Sequence, residues 1–196
     1  MTTTTQTTDP RPLYDGALAW ALGLVRGVRT DQLTLPTPCS EFDVRALLAH
    51  LVATPQRAAA VGRGEDPFSV PSSAPQPPGD DWAGAYAEAV DAVRAVWRDP
   101  ELLDRPVRAP FGQVPGRAAL MAYTSETLVH GWDLAVATGR PAEADPAIVE
   151  PVLAAMQRFL PAEPRGGRVP FEAPVPPRDG AGPTERLANW CGRATP

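Results

Sequence analysis

The chain has 196 residues, a formal net charge of −5 and 18 basic residues, all of them arginine. This length suits one domain, or one domain with a C-terminal appendage, and suffices for a sizeable core. Mild acidity with scattered arginine makes no basic stripe, which excludes nucleic acid as the main partner, and no apolar run reaches the roughly 18 residues that span a membrane.

The first segment, MTTTTQTTDPRP, carries no charged stretch followed by an apolar one, so it does not read as a secretory signal; residues 1–11 are expected to form a disordered lead. Residues 12–29 place Leu13, Ala17, Trp20, Leu24 and Val28 at helical spacing behind Pro12, which suits a first turn. Pro36 and Pro38 make the following stretch an irregular linker. Ser40, with Asp43 three residues on, predicts the cap of a second helix over 41–62, striped by Val44, Leu47, Leu48 and Leu51 and kinked or loosened at Pro55. His50 falls at the shoulder of that stripe, beside the small residues Ala46, Ala49 and Ala53. Residues 64–81 are rich in Pro, Ser and Gly and have no period, which reads as a long loop, either a lid or a solvated connector.

Asp80 or Asp81 is expected to cap a third helix over 82–98, with Trp82, Tyr86, Val90, Val93 and Trp97 along one side. VRAPFGQVP suggests a short hairpin-like turn at Phe111–Gly112. A fourth helix covers 116–140 and stops at Gly139, a C′ glycine. A fifth spans 145–160, with Asp145 as cap, Pro146 at its first position and a slight bend at Pro151. Residues 161–182 are again rich in Pro and Gly, with a short extended piece, and a last short helix covers 183–193. The fold class is all-α: a bundle of four main antiparallel helices plus a fifth over 12–160, followed by a Pro-rich extension, 161–196, whose short helix packs on it.

The fourth helix carries Glu126, His130 and Asp133 inside an otherwise apolar run. At i, i+4 and i+7 the three fall within roughly 60° of one another on the helix surface. Such a polar stripe is costly to bury without partners. A carboxylate and an imidazole one turn apart can bind one ion, and His50, the other of only two histidines, would complete three protein ligands. Catalytic zinc sites commonly have three protein ligands and an open position, and two nitrogens with one oxygen equally suit Ni²⁺, Fe²⁺ or Mn²⁺. The competing reading is two satisfied core histidines, with Asp133 capping, pairing with an arginine such as Arg140, or facing solvent. The widely spaced Cys39 and Cys191 make neither a disulfide framework nor a zinc-finger pattern, read as packing residues, and leave a reducing cytoplasm as the expected location.

TPCSEFDVRALLAHL (37–51) together with SETLVHGWDLAVATG (125–139) resembles the DinB-like superfamily, and more narrowly the mycothiol-dependent maleylpyruvate isomerase N-terminal domain and its shorter metal-binding relatives. The ending FEAPVPPRDGAGPTERLANWCGR is similar to that of the short relatives. The resemblance implies a four-helix bundle with a divalent metal held between helices, zinc first among the candidates. It implies His50, Glu126 and His130 as metal ligands, and Asp133 as the acidic residue that assists catalysis, by orienting a ligand or moving a proton at the bound water or thiol. It further implies a low-molecular-weight thiol, mycothiol, activated as a thiolate for transfer to an electrophilic substrate, and a homodimer as the assembly. The isomerase has a separate C-terminal domain that contributes to its site, and only a Pro-rich tail and a helix follow the bundle in this chain. Two readings follow: a metal- and thiol-dependent transferase or isomerase-like enzyme, or a non-catalytic bundle in which a metal stabilises a binding or dimerisation module.

Overall fold

The computed structural model describes residues 9–166, 169 and 171–195. Among the described residues six α-helices and one hairpin follow in chain order: α1 (Arg11–Val25), α2 (Val44–Arg63), α3 (Trp82–Trp97), β1 (Pro106–Ala109), β2 (Gly112–Pro115), α4 (Gly116–Ala137), α5 (Pro146–Phe159) and α6 (Pro183–Trp190). Most of the expected lead, 1–8, lies outside the described residues; Asp9 is placed, its carboxylate accepting from the Arg11 backbone N–H at 2.9 Å, and α1 begins at Arg11. Helix α1 is shorter than the periodicity suggested. It stops at Val25 and gives way to a 3-10 turn, Thr30–Gln32.

The cap of α2 is Asp43, not Ser40: its side chain accepts from the Ala46 N–H at 2.8 Å, and Ser40 is exposed. The helix therefore begins at Val44, three residues later than expected, and runs through Pro55 to Arg63. Of the two expected caps for α3, Asp81 takes the role by accepting from the Gly84 N–H at 2.9 Å, while Asp80 pairs with Arg45 at 3.0 Å. The whole expected face of α3, Trp82, Tyr86, Val90, Val93 and Trp97, is buried. The hairpin forms where expected, with Val107 opposite Val114 and Gly112 at φ 125°.

Helix α4 is the axis of the molecule. Fifteen of its 22 residues are buried because α1 and α2 cover one side and α5 and α6 the other. A helix that is apolar nearly all round, its few polar side chains paired, is what such a position requires. Gly131 marks its closest approach to α1: a Cβ there would lie 2.3 Å from the Trp20 ring. The end is closed by the Arg140 N–H bonding Ala135 O at 2.8 Å, with Gly139 at φ 68°, the left-handed closure expected of a C′ glycine.

One core lies between α1, α2, α3 and α4; a second, with Leu128, Val129, Val149, Val152 and Leu187, joins α4 to α5 and α6. The Glu143 carboxylate seats α6 by accepting from the Thr184 and Glu185 N–H groups at 2.9 and 3.1 Å. Among the described residues no helix is long and apolar enough to cross a membrane.

Candidate metal centre

Helices α2 and α4 bring His50, Glu126 and His130 to one point. His50 Nε2 lies 3.1 Å from Glu126 Oε1, and His130 Nε2 lies 3.8 Å from the same oxygen. The two imidazole rings meet nearly edge-on, centroids 4.6 Å apart at 71°. Both histidines are buried, whereas the Glu126 side chain is 38% exposed and forms the open side of the cluster. Phe42 packs beside both rings, its centroid 5.1 Å from His50 and 6.1 Å from His130.

The far nitrogen of each ring has its own partner. His50 Nδ1 lies 2.8 Å from the Ser72 carbonyl oxygen, which can only accept, so Nδ1 carries the proton. His130 Nδ1 lies 3.1 Å from Asp133 Oδ2 and donates to that carboxylate. In the neutral tautomer both Nε2 atoms then turn lone pairs toward a carboxylate oxygen. Three electron-pair donors face one another, and only protons or a cation between them relieves the repulsion. The spacing also fits an ion: bonds of about 2.0–2.1 Å in a tetrahedral shell put neighbouring ligand atoms about 3.3 Å apart.

Burial raises the Glu126 carboxyl, but with protons rather than a cation in the cluster the His50 hydrogen bond and the charges of His130, His50 and Arg57 outweigh it and bring it down to about 2. The 64–81 stretch is pinned along α2: Arg57 Nη2 donates to Val70 O at 3.1 Å, His50 to Ser72 O, and the Ala74 N–H to Ala49 O at 2.9 Å.

Asp133 is fully buried behind His130, on the Nδ1 side of the ring. Its partner is Arg193, whose Nε lies 3.1 Å from each carboxylate oxygen; Arg140 instead reaches Leu24 O at 3.4 Å. A second cluster, Cys39, His130 and Asp133, also brings ligand-type atoms within 4.8 Å. Its groups are already engaged: His130 Nδ1 with Asp133, both Asp133 oxygens with Arg193, and a Cys39 thiol that burial pushes up. Cys191 is buried too, its thiol pushed up to about 11 by loss of solvent.

Spacing along the sequence located the three facing groups but missed four that shape them. The Ser72 carbonyl is a backbone atom in an aperiodic loop, and no side-chain pattern announces it. Arg57 lies seven residues after His50, and Phe42 lies between Ser40 and Asp43, the pair expected to cap α2. Arg193 sits in the ending that carried the resemblance, but nothing in its spacing connects it to Asp133.

Together these features define a helical bundle with a His–Glu–His cluster held between two of its helices. The sequence profile of the mycothiol maleylpyruvate isomerase N-terminal domain matches residues 16–135, and the chain belongs to that DinB-like family. Two uncharacterised proteins of Mycobacterium tuberculosis, MT0763 of strain CDC 1551 / Oshkosh and Rv0738 of strain ATCC 25618 / H37Rv, are similar to it over nearly its whole length. Each is 32% identical over 186 residues, covering 94% of this chain and 98% of its own. No solved structure matches the chain.

Proposed function

We propose that the protein is a metal- and thiol-dependent enzyme, a transferase or isomerase-like catalyst, in which His50 Nε2, Glu126 and His130 Nε2 hold a divalent cation, zinc first among the candidates. The observation that carries the reading is the convergence of three lone-pair donors whose outer partners, Ser72 O and Asp133, leave each Nε2 free to face inward. The metal's contribution is to lower the pKa of a coordinated thiol so that it ionises at neutral pH.

The chain's residues do the rest. His50 and His130 present fixed Nε2 atoms, and Glu126, anionic across the working range, supplies negative charge on the exposed side where a small molecule enters. Phe42 keeps water off the ring faces. Asp133 acts through His130 as an orienting group, since its oxygens are occupied by His130 and Arg193 and none reaches the open side. Burial pushes up both cysteine thiols, which disfavours either as the nucleophile. A thiol from outside fits better, and the family is named for mycothiol. The exposed edge of Glu126 favours this over a metal that only stabilises the bundle, which would be closed on all sides by protein.

Titration of the cobalt-loaded protein with mycothiol tests the reading. A sulfur-to-cobalt charge-transfer band that saturates, followed by consumption of an electrophile, supports it. A cobalt spectrum that does not respond to thiol overturns the enzymatic part and leaves the structural one.

A further inference from the structure

Past α6 the C-terminal segment reaches back to the polar face of α4 through Arg193. After α6 the chain turns sharply: the Arg193 N–H bonds Ala188 O at 2.9 Å, and Asn189 Nδ2 donates to Arg193 O at 2.9 Å. Gly192 makes that turn with φ 91°, where a Cβ would lie 2.6 Å from Glu172. The turn delivers Arg193, its side chain only 17% exposed, to Asp133, whose own side chain is 0% exposed.

We propose that Arg193 is a positioning residue of the metal centre: through Asp133 it fixes the His130 ring so that Nε2 faces Glu126. This rests on the metal-site reading above. The chain of contacts is continuous. Arg193 Nε spans both Asp133 oxygens at 3.1 Å, Asp133 Oδ2 accepts from His130 Nδ1 at 3.1 Å, and His130 Nε2 lies 3.8 Å from Glu126 Oε1. A fully buried carboxylate with one imidazole N–H as its sole donor is under-bonded and free to turn about its terminal torsion. The guanidinium removes that freedom by holding both oxygens at once. Groups that orient a ligand histidine are commonly worth 10–100-fold in metal affinity. The arrangement also links the C-terminal helix to the site, so the docking of residues beyond α5 and the binding of a cation support each other.

Two measurements on the full chain test this, one of them without metal. In metal-free, ¹⁵N-histidine-labelled protein the sheltered His130 Nδ1–H gives a slowly exchanging low-field resonance. The proposal expects Arg193→Ala to lose or broaden it while the His50 resonance stays. In cobalt titrations Arg193→Ala weakens affinity about 10–100-fold and alters the visible spectrum, Arg193→Lys recovers part of the loss, and Arg193→Ala adds nothing in an Asp133→Asn background. Should Arg193→Ala fail to fold, Arg193→Lys carries both readouts, with an intermediate affinity and a shifted resonance expected. A folded variant with the wild-type resonance and affinity overturns the proposal, as does an equal loss with and without Asp133. A wild type that binds no cobalt but shows the Arg193-dependent resonance overturns the metal reading and leaves the positioning of His130 standing.

Discussion

The polar residues in this bundle divide by which way they face. Glu126 faces the two histidines and the opening, and its carboxyl is held near 2 against an ordinary value of 4.5. A carboxyl held low contributes stability that is complete above its unfolded value and is lost as pH falls through its folded one. In metal-free protein, wild type is therefore expected to exceed Glu126→Gln in urea midpoint at pH 6, with the gap closing as pH falls from 4.5 toward 2. A gap independent of pH contradicts the assignment. The cysteines face the other way. With the Cys191 thiol at about 11 and that of Cys39 also raised, a chromogenic disulfide reagent at pH 7.5 is expected to label neither in the native protein and both after denaturation; rapid native labelling contradicts the requirement for an external thiol.

At the scale of elements, α4 explains why the site is where it is. A helix buried over most of its length offers little solvent to its polar residues, so they pair within the helix or with neighbouring segments. His130 meets Glu126 and Asp133, Asp133 meets Arg193, and Glu126 meets His50. Gly131 lets Trp20 of α1 lie against the backbone beside His130. Glycine in a helix interior costs about 1 kcal/mol relative to alanine, so Gly131→Ala would stabilise an open helix. Here it must push Trp20 aside, and overpacking of that kind costs about 1–3 kcal/mol. The expected result is a lower Tm, with weaker metal binding because α1 and α4 separate at His130. An unchanged or raised Tm contradicts the close approach. The cap of α2 is a similar case: Asp43→Ala is expected to destabilise by about 1 kcal/mol in urea unfolding, and Ser40→Ala by nothing measurable.

For the whole molecule, the legible part of the sequence was what depends on period and spacing. The buried face of α3, the hairpin at Phe111–Gly112 and the glycine closure after α4 follow from local rules and appear where those rules put them. The end of α1 and the choice of Asp43 over Ser40 did not, because several residues can cap or terminate a helix and tertiary packing selects among them. The His–Glu–His convergence was legible because both histidines lie in apolar helical runs, Glu126 lies one turn before His130, and the two stretches resemble those of a metal-binding family. Arg193 and the Ser72 carbonyl were not, since each reaches the site from an irregular segment across the fold. The second core gives the extension a structural role: a chain cut after residue 160 removes Leu187 and Cys191 from the cluster that holds Leu128, Val129, Val149 and Val152, and is expected to aggregate or elute early in size-exclusion chromatography. A soluble, compact product with wild-type Tm contradicts that role.

The central claim is that three facing lone-pair donors hold one cation. Elemental analysis and isothermal titration with Zn²⁺, on wild type and His50→Ala side by side, test it most directly. Wild type is expected to hold close to one metal per chain, lost in His50→Ala while the helical circular-dichroism spectrum is kept. A wild type that takes up no divalent metal, or a His50→Ala variant that binds it as tightly as wild type, contradicts it.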